Sequence, residues 1–216
     1  MHIKRPTLLL DLAKAEANLD FMIKKASRTG VDLIPHFKTH QSKEIGELVR
    51  QKGVSKITVS SVKMASYFAA NGWNDITIAF PFNILEVDEV NRLTKDGCQI
   101  TLLLTELGTI DQLSEELTNT VHVMVELDAG YGRSGVPTND MERIQTMVEA
   151  IEASPLLSFY GLYCHPGNTY SAHSIEEIRQ IWALVIKRMN FVKSHLATER
   201  EFKIRIGDTP GCTVVE

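Results

Sequence analysis

The 216-residue sequence predicts an α/β protein of the (β/α)8 barrel type that stops short of its last strand. Three observations lead there. Short runs are β-branched and almost continuously apolar, stretches with helical spacing lie between them, and polar or glycine residues gather where the runs end. Apolar runs without polar alternation are those of parallel strands covered on both faces. Repeated strand-then-helix units make a parallel sheet, open or closed into a barrel.

In chain order, "RPTLLLD" (5–11) is a short leading run of uncertain place. Leu19, Met22, Ile23 and Ala26 then follow the i, i+3, i+4, i+7 spacing of a helix with one apolar face. Seven core strands are expected: "VDLIPHF", "KITVSSV", "DITIAF", "QITLLLT", "VHVMVEL", "LSFYGLYC" and "FKIRI". A helix begins in "TNDMERIQTMVEAIEAS", with Asn139 or Asp140 as N-cap and Glu142 in its first turn. Ile178, Ile181, Trp182 and Val185 mark another. A closed barrel needs eight strands and about 250 residues. Here "GDTPGCTVVE" follows directly on the seventh core strand, so a fragment, or part of a longer protein, is expected.

With 44% hydrophobic and 23% charged residues, the composition is that of a soluble globular chain, and no linker divides residues 1–216. A net charge of −4 gives no reason to expect nucleic acid or an anionic membrane as partner. The opening "MHIKRPTLLLDLAKAE" is too briefly apolar for a signal peptide, and no segment reads as a membrane span. Cys98, Cys164 and Cys212 form no pair, which points to a cytoplasmic protein.

Gly130, Gly132 and Gly135 spell GxGxxG after a strand. A dinucleotide turn opens a helix among its glycines. Pro137 would fall inside such a helix and break it, so nicotinamide binding is rejected.

In a parallel barrel the chemistry sits at the carboxyl ends of the strands. His36, Lys38 and His40 follow the first core run. Asp128 and Arg133 follow the fifth, and His165, Asn168, Thr169 and Tyr170 the sixth. Asp208, Thr209, Gly211 and Cys212 follow the seventh. A lysine at the end of a buried strand is poorly solvated and a usable nucleophile. Small residues and hydroxyls after a strand suit a phosphate. A lysine, an arginine, a histidine and a phosphate nest on one rim suggest pyridoxal phosphate, whose aldehyde a lysine holds as a Schiff base. Other readings stay open: His165 as a core histidine satisfied by a carbonyl, Arg133 as a clamp on Asp128, and the "GDTPGC" segment as a plain turn. His36 and His40 lack the carboxylate or cysteine that would complete a metal site, so no metal is assigned to these residues.

"PHFKTH", "VELDAGYGRSGV", "GLYCHPGNTY" and "GDTPGC", in this order over nearly the whole chain, resemble the pyridoxal-phosphate enzymes of the D-threonine aldolase and D-serine dehydratase group. These are fold-type III relatives of alanine racemase. The resemblance implies that Lys38 carries the cofactor and moves the Cα proton. It places Arg133 on the ring oxygen, His165 against the ring, Tyr170 beside the phosphate or the ring, and Thr209 and Gly211 on the phosphate. It implies a lyase acting on β-hydroxy D-amino acids, homodimeric at full length. An amino-acid racemase and a non-catalytic pyridoxal-phosphate carrier are the alternatives. The family's eighth strand and C-terminal β domain, with its divalent-metal ligands, have no counterpart in these residues. A chain ending at Glu216 is therefore expected to aggregate and to bind cofactor weakly.

Overall fold

The computed structural model describes residues 4–7 and 9–215. Its helices are α1 (Leu12–Thr29), α2 (Lys43–Gln51), α3 (Val62–Ala69), α4 (Val87–Lys95), α5 (Leu107–Glu116), α6 (Met141–Ala153), α7 (Ile175–His195) and α8 (Thr209–Val214). Its strands are β1 (Ile57–Val59), β2 (Asp75–Pro81), β3 (Gln99–Leu104), β4 (Val121–Asp128), β5 (Val136–Pro137), β6 (Leu157–Cys164) and β7 (Lys203–Ile206). Six of the strands lie in the order β1-β2-β3-β4-β6-β7, all parallel, and β5 pairs with the end of β4. The sheet curls into part of a barrel, with every carboxyl end on one rim.

Side-chain alternation explains the layering. Val121, Val123, Val125 and Leu127 of β4 point outward into the core under the helices, where Ile144, Met147, Val148 and Ile151 of α6 meet them, all at most 1% exposed. The residues between them face the inside of the curl, which is markedly polar: Thr58, Thr77, Thr101 and Glu126 are all buried there. Helix starts follow ordinary capping chemistry. Asp11, Ser42, Ser61, Asp140 and Ser174 each accept a backbone N–H of the helix they open. Among the described residues no helix is long and apolar enough to cross a membrane.

Two expected strands differ. "VDLIPHF" is extended but forms one isolated bridge, His36 to Thr58, because Pro35 has no N–H for a ladder and contributes only its carbonyl, to Thr58 N at 2.9 Å. "RPTLLLD" forms no strand at its described residues (Leu8 lies outside them), and its Asp11 instead caps α1. The count of seven core strands therefore falls to six, with β5 a two-residue addition that was not expected.

Candidate active site

Lys38 lies beyond the last extended residue, in a short 3-10 turn, Phe37–Thr39. Phe37 anchors that turn: it is 1% exposed and packs edge-on against Phe68 and Trp73, at 4.9 and 5.1 Å between ring centres. Lys38 itself is exposed, which corrects the expectation of a poorly solvated lysine. The reason is local. The turn sends Phe37 into the core and the next side chain out over the rim.

His165 closes β6. Its Nδ1 is 2.7 Å from the Gly207 carbonyl just past β7. A carbonyl only accepts, so Nδ1 carries the ring proton and Nε2 is left as an acceptor. Burial pushes this imidazole below its ordinary value, and the Arg133 and Lys38 cations add to the effect, opposed by the Gly207 bond. The ring lies between Tyr131 and Tyr170, at 5.9 and 6.2 Å between centres, and the Arg133 guanidinium sits 5.6 Å over Tyr131. His36 is pushed down to about 4, first by burial and then by Lys38 and His165. Lys38, Arg133, His36 and His165 thus share one field.

The loop bearing Arg133 explains the decoy motif. The N–H groups of Gly130, Tyr131 and Gly132 all donate to the Asp128 carboxylate at 2.8–3.1 Å. The glycine turn wraps the protein's own anion rather than a pyrophosphate. Asp128 is thereby occupied, and its geometry does not support the reading of Arg133 as its clamp.

Past β7, Thr209 N donates to the Tyr170 hydroxyl, and that hydroxyl is 3.2 Å from Thr209 Oγ1. This brings two expected phosphate contacts together. Gly211 differs: its N–H donates to Asp208 Oδ2 at 2.8 Å, and its Cα faces Trp182 so closely that a Cβ would come within 2.2 Å of that ring. It is a packing glycine whose donor is spent. Thr169 Oγ1 also donates to Asp208 Oδ2, at 2.5 Å.

Asp208 was noted in the sequence only as a rim residue, and Glu126 was not singled out. Glu126 is 3% exposed, Ser134 donates to its Oε1 at 2.8 Å, and burial raises its carboxyl above the ordinary range. A lone acid inside "VHVMVEL" was the available signal. Five buried side-chain polar atoms lack a partner among the described residues, and four belong to His40, Glu126, Asn168 and Asp208, at or beside this rim. Buried polar groups are normally satisfied, and these four lie in or next to the strand ends and the segments that follow them. Among the described residues no group of three His, Cys, Asp or Glu side chains is placed to hold a metal.

The chain is 29% identical to a D-threonine aldolase of Arthrobacter sp. over 83% of this chain and 48% of that protein. It is 25% identical to the D-serine dehydratase of Schizosaccharomyces pombe over 98% of this chain and 53% of that protein. The solved D-threo-3-hydroxyaspartate dehydratase of Delftia sp. superposes with a TM-score of 0.86 at 22% identity, covering 98% of this chain and 57% of that one. The chain thus spans about half the length of the curated relatives it matches. The sequence pattern of the family described as "Alanine racemase, N-terminal domain" matches residues 10–206, nearly all of the curled parallel sheet and its rim, and this chain belongs to that family.

Proposed function

We propose that this chain is the cofactor-bearing barrel of a pyridoxal-phosphate-dependent lyase acting on D-amino acids with a β-hydroxyl. The observation that carries the reading is the convergence of Lys38, Arg133 and His165 over a rim whose buried polar atoms lack partners. A phosphorylated aromatic aldehyde needs an amine, a cation for its ring oxygen, a flat group against its ring and donors for its phosphate. Lys38, Arg133, His165 and the Thr209–Tyr170 hydroxyl pair match these needs; Gly211, its N–H engaged by Asp208, drops from the phosphate set. When bound, this cofactor withdraws electron density from a bond at the substrate Cα.

The chain's own residues do the rest. Lys38 holds the aldehyde through Nζ and moves the Cα proton. Arg133 binds the ring oxygen and keeps it ionised. His165, its Nδ1 fixed on Gly207, offers Nε2 as a neutral base beside the ring, suited to a proton on the substrate hydroxyl. The names of the relatives favour aldol cleavage or dehydration over racemisation. The same reading takes the working enzyme as a cytosolic homodimer, checked by light scattering and fractionation.

The test is to incubate the protein with D-threonine, D-serine and D-alanine. Glycine plus an aldehyde identifies an aldolase, and an oxoacid plus ammonia a dehydratase. The L-enantiomer would replace the lyase reading with a racemase, and no product with a carrier. Borohydride reduction should place pyridoxyl mass on the peptide containing Lys38, and Lys38→Ala should abolish it without unfolding the protein. Mass on another lysine would reject the assignment.

A further inference from the structure

The backbone of Lys38 is held in an unusual way. It sits past the single His36–Thr58 bridge and has no strand ladder to fix it. Its two polar backbone atoms are taken instead by side chains on either side. The Lys38 N–H donates to His36 Nδ1 at 3.3 Å, and the Lys38 carbonyl accepts from Gln41 Nε2 at 3.2 Å. An Nδ1 that accepts leaves the ring proton of His36 on Nε2, and the His36–Thr58 bridge keeps the residue against the sheet edge. The imidazole is thereby wedged between the lysine's peptide and the sheet edge.

Gln41 carries a second sign. Its φ is +47°, the one positive value at a non-glycine position among the described residues. A glutamine gains nothing from that conformation, and such backbone strain persists only where the surroundings impose it. Here Gln41 N donates to the Phe37 carbonyl at 3.0 Å, closing the chain back over the turn and bringing its own side chain onto Lys38. The turn is thus pinned from below by Phe37 in the core and clamped from both sides at the residue that projects over the rim.

We infer that His36 and Gln41 are positioning residues, a two-sided clamp on the Lys38 peptide that fixes where the lysine amine meets its aldehyde. The inference rests on the pyridoxal-phosphate reading for its consequence, though not for its geometry. An exposed lysine has four rotatable side-chain bonds, so a mobile backbone beneath it would spread the amine over many positions; a fixed one narrows the search.

Two readouts test it on the whole protein. Amide hydrogen exchange at Lys38, in the cofactor-free form, should speed up in His36→Leu and in Gln41→Ala. It should return toward the parent rate in His36→Asn, whose side-chain oxygen can accept the same N–H. With pyridoxal phosphate as the probe, the rate of visible-band formation should fall roughly five- to tenfold in the first two variants, the size expected for losing one capping acceptor, and recover in His36→Asn. Borohydride should still mark Lys38 in all of them. Unchanged exchange at Lys38 in both deletion variants would overturn the clamp. So would His36→Asn behaving like His36→Leu, which would assign the role to the imidazole ring itself. If a variant fails to fold, nitrogen-15 spectra of the parent decide: a protonated Nδ1 on His36 rules the clamp out, and an unprotonated one coupled to the Lys38 amide supports it. No pyridoxyl mass in the parent, with the exchange pattern as expected, would remove the proposed function and leave the clamp standing.

Discussion

His36 and His165 are held neutral by the same two causes, burial and nearby cations, and this has a measurable consequence for stability. His36 sits at about 4 in the folded chain against an ordinary 6.5. Because the folded value is the lower one, the unfolded chain takes up the proton first. The stability that comes from a neutral His36 is therefore complete above 6.5, is lost progressively as pH falls to about 4, and changes no further below that. The loss amounts to at most roughly 3 kcal/mol. His40 and His122, also lowered by burial, act in the same direction. Urea midpoints taken between about pH 7 and about pH 4 should decline, and His36→Asn should flatten part of that decline. At this scale residue type and position after an apolar run singled out Lys38, Arg133, His165, Tyr170 and Thr209, and the structure sets Tyr170 beside both His165 and Thr209, with the Lys38 and Arg133 cations acting on His165. It did not show that the N–H of Gly211 faces Asp208, because which partner a backbone donor finds depends on a turn's path.

Gly161 decides how β6 meets β7. Its φ is +151°, and a Cβ there would lie 1.8 Å from the Lys203 carbonyl oxygen. The pairing of β4 with β6 shifts register just before this residue, between Val123 and Met124. The bulge lets β7 approach closely and carries Gly207 to His165. Gly161→Ala should cost on the order of 3 kcal/mol in an unfolding titration and loosen the His165–Gly207 contact, seen as a shifted His165 imidazole resonance. A variant as stable as the parent would show that β7 can slide. The buried Lys25 of α1 ties the other end of the same segment, donating to the Cys212 and Thr213 carbonyls at 2.9 and 3.3 Å. Five of the expected strand runs were legible because continuous apolarity survives on a sheet covered on both sides, and "FKIRI" began only one residue early. "VDLIPHF" was not, because apolarity reports burial and does not reveal whether a partner strand is there to bond.

Across the whole sheet, Arg205 of β7 reaches over the inside of the curl. Its Nη1 donates to the Thr77 hydroxyl of β2, a strand that is not its neighbour, and its guanidinium lies 5.1 Å over Tyr160, which stacks on His122 at 4.8 Å. This contact ties β7 to β2 across the curl, with β3, β4 and β6 lying between them in the sheet. Arg205→Met should lower stability by about 1–3 kcal/mol and weaken cofactor capture, although the residue lies away from the aldehyde. Cofactor capture unchanged by the variant would remove Arg205 from that role. The edge of β7 beyond β6 has no strand neighbour among the described residues, and the far edge of β1 has only the His36 bridge. Open parallel edges recruit other chains, so a polypeptide of these 216 residues alone should self-associate in sedimentation runs. A concentration-independent monomer would count against that expectation. The sequence alone determined the class of fold and the rim where polar strand-end residues gather, because burial on both faces and strand-end polarity are written locally, residue by residue. Only the tertiary structure decided which polar groups spend their hydrogen bonds on one another and which are left facing the rim. It settled that Asp128 serves its own loop, that Asp208 takes Gly211, and that Lys38 is gripped by His36 and Gln41. Those pairings depend on the path and curvature that bring distant segments within three ångströms, and no spacing along the chain encodes them.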